Sequence, residues 1–453
     1  MTLGASVALG LMLELMANLQ PVNKCKPANI PAFRFVPQTV FPMSPNNRMS
    51  ALELRASLAL AGVFGLRLFG MFVILPVFAI YAETLPGGGN LTLVGIAIGA
   101  YGLTQAILQI PFGWWSDRIG RKPVMYLGLI LFAVGSFIAA TAPNIYVVIV
   151  GRVLQGAGAI SAAVIALASD LTREEHRTKS MAMIGSTIGV VFALSLVAAP
   201  WLNHLIGVPG IFALTGVLAL GAILVVWRIV PPVTDRPETR PSRLLADLKS
   251  VLADPQLARL NWGIFALHAV LMALFIAVPF ALRDAGMPLN QHWKIYLPVM
   301  LASFVLMLPA VLGVQTPGRL KSWFVASVAL LLLVQLAMPW LTGGVWAITL
   351  FLLIFFTPFN VLEAMLPSLV SRIAPAQLKG AAVGIYSSVQ FLGAFAGAAA
   401  GGFLYGRWGV AGIAVPGAIL LAIWLILAMG MRAPPARSKA IAAASQAAGE
   451  PAR

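Results

Sequence analysis

Charge is what this sequence has least of. Only 10% of its 453 residues are Asp, Glu, Lys or Arg, against 60% that are apolar, and the mean hydropathy is +0.92. A chain so poor in charge would aggregate in water, so lipid is its natural solvent. Cysteine is also nearly absent: Cys25 stands alone, which excludes an internal disulfide and a thiolate metal site. The four histidines, His176, His204, His268 and His292, show no metal-ligand spacing, so no metal is expected. Acids are fewer than bases, and the formal charge is +16. The cations sit in short loops between apolar runs and form no stripe with interleaved aromatics, so no nucleic-acid partner is expected. No HExxH, Gly-x-Ser-x-Gly, paired carboxylates or Cys-His set falls in an apolar run, which argues against a membrane-embedded enzyme. Gly156-x-Gly158 lies inside an apolar run and is no nucleotide loop.

What the chain does have is apolar runs of bilayer-crossing length. They lie near 57–82, 91–115, 124–142, 145–168, 180–202, 208–230, 260–282, 293–314, 322–341, 345–369, 380–403 and 408–431. Backbone groups in lipid must bond internally, and no period-two alternation appears, so these twelve spans are helices. The fold class is an all-α membrane protein. With the N-terminus inside, all the Lys and Arg outside the spans fall on the inner side except Arg283, Lys294 and Arg407; Arg67 and Arg152 lie within spans. This asymmetry supports twelve spans with both termini cytoplasmic. The expected location is a bacterial inner membrane.

Residues 231–259 break the rhythm. Pro231, Pro232, Pro237 and Pro241 precede Ser242 to Leu252, a candidate amphipathic helix on the inner surface. This central loop divides a bundle at 49–230 from one at 260–431. The halves look related: Gly62 to Arg67 aligns with Gly263 to His268, and Met71 with Met272 at the same offset. Ser169-Asp170-Leu171 likewise matches Ser371-Arg372-Ile373. Two pseudo-symmetric six-helix bundles with a site between them are the expected architecture. Residues 1–48, proline-rich after a short apolar stretch, read as a disordered or misassigned leader before a natural start at Met49. Residues 432–453 read as a cytoplasmic tail.

The most informative stretch joins the second and third spans: Gly113-Trp114-Trp115-Ser116-Asp117-Arg118-Ile119-Gly120-Arg121-Lys122. A plain basic loop does not account for its ordered Gly, Asp, Gly and Arg. Gly120 permits a tight turn, Asp117 suits the positive end of a helix, and Arg121 can reach Asp170 at the inner end of the fourth span. Such contacts would latch the inner face.

This stretch resembles motif A of the major facilitator superfamily, and Arg152-Val153-Leu154-Gln155-Gly156-Ala157-Gly158-Ala159 resembles its motif B. Tyr101 to Ala106, Ser169 to Glu174 and Phe359 to Leu369 resemble the YajR-type subgroup of bacterial drug:proton antiporters; the similarity covers Leu54 to Met431, without that subgroup's C-terminal soluble domain. The resemblance implies twelve helices in the superfamily fold, with Asp117 at the start of the eleventh span near Gly380 and Arg121 paired with Asp170. One departure stands out. The antiporter motif of the fifth span normally ends Gly-Pro, and here the pair is Ala199-Pro200.

Ionisable groups inside lipid are functional candidates by default. Glu363 is the acid deep within a span, and a carboxylate in hydrocarbon is relieved by taking up a proton, so it is the first proton-coupling candidate. His268 is the second, because imidazole exchanges protons near neutral pH. Each could equally be structural. Arg67 is expected to line a central cavity or pair with Glu363, and Arg152 to modulate proton movement or to snorkel outward beside Gln155. Tyr101, Gln105, Asn360, Tyr386 and Gln390 are candidates for the cavity lining, with interhelical glue as the alternative. Gly393, Gly397 and Gly401 share one helix face and fit close packing. The reading is an alternating-access carrier, monomeric, with no cofactor and a proton gradient as its drive. It exports an amphipathic small molecule or drug by antiport. Metabolite or nutrient uptake by symport or uniport is the alternative.

Overall fold

A computed structural model describes residues 49–232, 244–314 and 319–432. The leader 1–48, most of the proline-rich part of the central loop, and the tail beyond Arg432 lie outside the described residues. The described residues divide at Leu54 and Arg55 into two units. In the first, Ser50 and Glu53 form a reciprocal capping box: the Ser50 amide donates to Glu53 Oε2 (2.7 Å) and the Glu53 amide to Ser50 Oγ (3.2 Å). The helix beginning at Ala51 therefore starts where the apolar pattern starts.

All regular structure among the described residues is helical. Ten helical stretches are long and apolar enough to cross a membrane. Two of them, Glu174–Arg228 and Lys379–Met429, carry a non-helical residue, Gly207 and Gly409 respectively. Each is therefore two crossings, and the total is the expected twelve. The first span is Ala51–Phe72 followed by Leu75–Ala82, broken at Val73 and Ile74. The second is Leu91–Ile119 and the third Arg121–Ala140. The fourth is Ile145–Ala157 followed by Ser161–Asp170. Pro255–Asp284 is the seventh, Trp293–Val314 the eighth, Leu320–Ala337 the ninth and Val345–Ile373 the tenth. The amphipathic segment of the central loop is a helix over Leu244–Ala253, with Val251 buried and Leu245 and Leu252 exposed.

In the first half the third span packs on the fourth and on the helix Glu174–Arg228, and the second packs on the fourth. In the second half the seventh packs on the helix Lys379–Met429, and the tenth on the eighth and ninth. The Gly393, Gly397 and Gly401 face meets the seventh span, where an added Cβ would strike the backbone at Phe265, Ala269 and Ala273. That stripe closes its own bundle. The contact between halves is made elsewhere. A Cβ on Gly95 would lie 2.1 Å from the Ala398 carbonyl oxygen, and one on Gly402 would lie 2.1 Å from that of Leu91. The second and eleventh spans thus touch backbone to backbone at the end opposite the Gly113–Lys122 turn.

Candidate functional site

Two polar clusters of the sequence-derived candidates stand out, one in each half. In the first, Arg67 Nη1 donates to Ser161 Oγ at 2.8 Å, and the guanidinium lies 5.7 Å from the centre of the Tyr101 ring. Gln105 Nε2 donates to Gln109 Oε1 (2.7 Å) and reaches Ser161 Oγ at 3.5 Å. Arg67 does not pair with Glu363. Its Nη1 is engaged instead by Ser161 of the fourth span. Each half closes its own contact between its first and fourth helices.

Arg152 does not snorkel outward. It is fully enclosed and donates to Gln155 Oε1 (2.8 Å) and to the main-chain carbonyls of Gly70, Ala97 and Ile98 (3.4, 3.4 and 3.3 Å). Gln155 Nε2 continues to Ser136 Oγ at 2.7 Å. With main-chain acceptors within reach on the first and second spans, the guanidinium gains more from cross-linking helices than from reaching toward water.

In the second cluster Gln390 bridges two titratable groups. Its Nε2 lies 2.8 Å from His268 Nε2 and 3.3 Å from Glu363 Oε1. An amide nitrogen only donates, so His268 Nε2 accepts, and the neutral ring carries its proton on Nδ1, which faces the Ile264 carbonyl at 3.3 Å. Glu363 Oε2 has no hydrogen-bond partner and sits 3.9 Å from His268 Nε2. A carboxyl and an imidazole that can each hold a proton therefore face one another across a shared amide, on the tenth and seventh spans. The Tyr386 hydroxyl is buried without a partner. Asn360 is placed otherwise, donating to Ser303 Oγ of the eighth span at 3.0 Å.

A layer of rings, absent from the sequence-derived site, joins the halves. Phe192 of the fifth span has ring contacts with Phe72, Phe275, Phe356 and Phe359 at centroid distances of 5.0, 6.2, 5.8 and 6.1 Å. Phe359 in turn lies 6.2 Å from the His268 ring.

At the motif end, Gly120 has φ of 109° and joins the second and third spans without a loop. A Cβ at that φ is strained, so glycine is required. Arg121 is the hub: it bonds Asp117, Asp170 Oδ2 (3.2 Å) and Ser116 Oγ (2.9 Å). The Arg121–Asp170 pair is as expected. The Asp117 contact differs, because the carboxylate turns back to Arg121 and is 45% exposed. Gly380 and Gly384, at the start of the eleventh span, face open space. The cation that Asp117 meets is Arg121, one helical turn further along the chain. Gly113 packs against Ala162, Arg118 stacks on Trp114 (3.8 Å), and Lys122 donates to the Val230 carbonyl (2.5 Å). At the far end an exposed pair, Glu83 Oε2 and Arg283 Nη1 at 2.6 Å, links the first and seventh spans. Sequence reasoning missed it; the signal available was a lone acid and a lone base flanking corresponding spans of the two halves. It also missed Gly95, Gly99 and Gly102, whose spacing already placed them on one face.

Residues 60–398 match the family described as Major Facilitator Superfamily. The chain belongs to the major facilitator superfamily. It is 44% identical over 390 residues to the Escherichia coli inner membrane transport protein YajR, covering 86% of each chain. It is 24% identical to the Staphylococcus aureus quinolone resistance protein NorA, covering 74% of this chain and 86% of that one. Among solved structures, a bacterial homologue of the lysosomal transporter Spinster superposes with a TM-score of 0.68 at 14% identity, over 84% of this chain and 97% of that one. Superfamily membership makes this a multi-pass membrane transporter of small molecules with two six-helix bundles, and not an enzyme.

Proposed function

We propose that the chain exports an amphipathic small molecule in exchange for protons by alternating access. Its motif end and both termini face the cytoplasm of a bacterial inner membrane, and it works as a monomer. The two bundles, 49–230 and 260–431, rock about the central clusters. The described conformation is read as open toward the cytoplasm: the far ends touch through Gly95 and Gly402, while Gly380 and Gly384 face open space. The observation that carries proton coupling is Glu363 Oε2, unbonded and 3.9 Å from His268 Nε2 beneath the bridging Gln390. A carboxyl in hydrocarbon that releases its proton when its cavity opens to one side supplies the alternation. Similarity to a quinolone resistance protein supports a drug-like cargo. Ala199-Pro200 in the fifth span keeps symport as a second reading, since the antiporter pattern has glycine where Ala199 stands.

The test is norfloxacin flux in proteoliposomes with an imposed pH gradient. Wild type moves the compound against the proton flow, and reversing the gradient reverses the movement. Glu363→Gln lowers gradient-driven flux by roughly tenfold or more, yet leaves gradient-free exchange within about twofold. Flux indifferent to the gradient, or a Glu363→Gln variant as gradient-sensitive as wild type, contradicts the reading. Movement in the same direction as the protons selects symport.

A further inference from the structure

We propose that the first-half cluster is an anion-binding subsite, and that the transported compound carries a carboxylate or a similar oxyanion. The inference rests on the export reading and names the charged end of its cargo. Arg67 is held mid-span with 3% of its surface exposed. Only its Nη1 has a partner, Ser161 Oγ; Nε and Nη2 are buried without one, and so is the Tyr101 hydroxyl. Among the described residues, no carboxylate forms an ion pair with Arg67 or Arg152. The two guanidinium groups flank Tyr101 but differ in completeness. Arg152 is filled by one amide oxygen and three backbone carbonyls, whereas Arg67 keeps two donors in hand. A fixed cation away from water is costly unless something supplies the opposite charge.

A second feature points to the same place. Ser161 is the first residue of the ten-residue helix Ser161–Asp170, whose N-cap, Ile160, offers no side-chain acceptor. The free amides and the positive end of that helix therefore lie beside the Arg67 guanidinium. Ser161 Oγ accepts from Arg67 and lies within reach of Gln105 Nε2, which leaves its own proton available. An oxyanion seated there takes the Arg67 Nε and Nη2 donors as a planar fork, with the Tyr101 and Ser161 hydroxyls at its edge. Gln105 Oε1, buried and unpaired, suits a neighbouring hydroxyl or N–H group of the same ligand. The break in the fourth span serves this site, because it places a helix start at mid-membrane depth.

The experiment is equilibrium dialysis of the full chain in zwitterionic nanodiscs, without a pH gradient, against labelled 2-naphthoate and labelled 2-naphthylmethylammonium. Wild type holds the carboxylate about tenfold more tightly than the ammonium. Arg67→Gln weakens 2-naphthoate binding by about tenfold and leaves the ammonium within about twofold, and Arg67→Lys restores part of the loss. Tyr101→Phe, which keeps the ring, weakens 2-naphthoate by a smaller factor and guards against a variant that fails to fold. Equal binding of the two probes by wild type, binding of neither, or equal losses for both probes in Arg67→Gln and Tyr101→Phe overturns the proposal. The norfloxacin measurement is independent of this outcome: it can fail while the subsite binds, and the subsite can fail while flux stays proton-driven.

Discussion

Arg121 holds two carboxylates at once, Asp117 and Asp170, together with Ser116. Removing it leaves two like charges without their shared cation, and Asp170, 18% exposed, without its charge-assisted bond. Arg121→Ala is expected to destabilise the bundle by about 1–3 kcal/mol, the range for a charge-assisted bond whose partner is left behind. Arg121→Lys recovers only part, since a point charge cannot serve three acceptors in fixed directions. Thermal unfolding of purified variants checks this, and an unchanged midpoint for Arg121→Ala contradicts it. This contact was legible in the sequence because both partners are charged and sit at helix ends, where few alternatives compete. Arg67 was not. Its neighbour Ser161 carries no charge to attract notice, and the choice between Ser161 and Glu363 depends on helix rotation, which apolar patterning does not encode. Gln390, the bridge of the second cluster, was recognised as polar and central but not as a connector, for the same reason.

The spans were legible as elements because lipid imposes length and apolarity on each of them, and the starts at Leu91, Ile145, Trp293 and Val345 match the expected ones. The interruptions at Val73 and Ile74 and between Ala157 and Ser161 were not, since unwinding inside a uniformly apolar run changes no periodicity. The aromatic layer was hidden too, because a Phe facing lipid and a Phe facing the other bundle look alike in sequence. Phe192 anchors that layer through four ring contacts, each worth about 0.5–1.5 kcal/mol beyond simple burial. Phe192→Ala is expected to loosen the ring contact between the halves and admit gradient-independent leakage of norfloxacin into proteoliposomes, with a lowered unfolding midpoint. Phe192→Leu, which keeps most of the volume, leaks less. Equal tightness of Phe192→Ala and wild type contradicts a sealing role. Glu83 and Arg283 link the halves at the far end, but both are exposed, and such pairs contribute about 0–1 kcal/mol; the rings and the Gly95–Gly402 approach are the stronger contacts between the halves.

At the scale of the whole molecule, the two ends behave oppositely. The far ends of the bundles meet through glycine backbone and one exposed ion pair. At the motif end Asp117 folds back on Arg121 while Gly380 and Gly384 face open space. In the opposite conformation Asp117 is expected to leave Arg121 for the free amides at the start of the eleventh span, an interaction worth about 0.3–1 kcal/mol when exposed and up to about 2 when partly buried. On the proposed reading, protonation of the Glu363–His268 pair is expected to set the balance between the two conformations. The lone cysteine makes this directly measurable, since Cys25→Ser leaves a background in which spin labels can be placed in pairs. One pair at Arg118 and Lys379 reports the motif end, and one at Thr84 and Asp284 reports the far end. The decisive measurement is the two distances in nanodiscs as pH is lowered, in wild type and in Glu363→Gln. The account predicts that one distance shortens as the other lengthens in wild type, and that Glu363→Gln stays at one extreme regardless of pH. Distances that change together, or a Glu363→Gln variant that still switches with pH as wild type does, would contradict it.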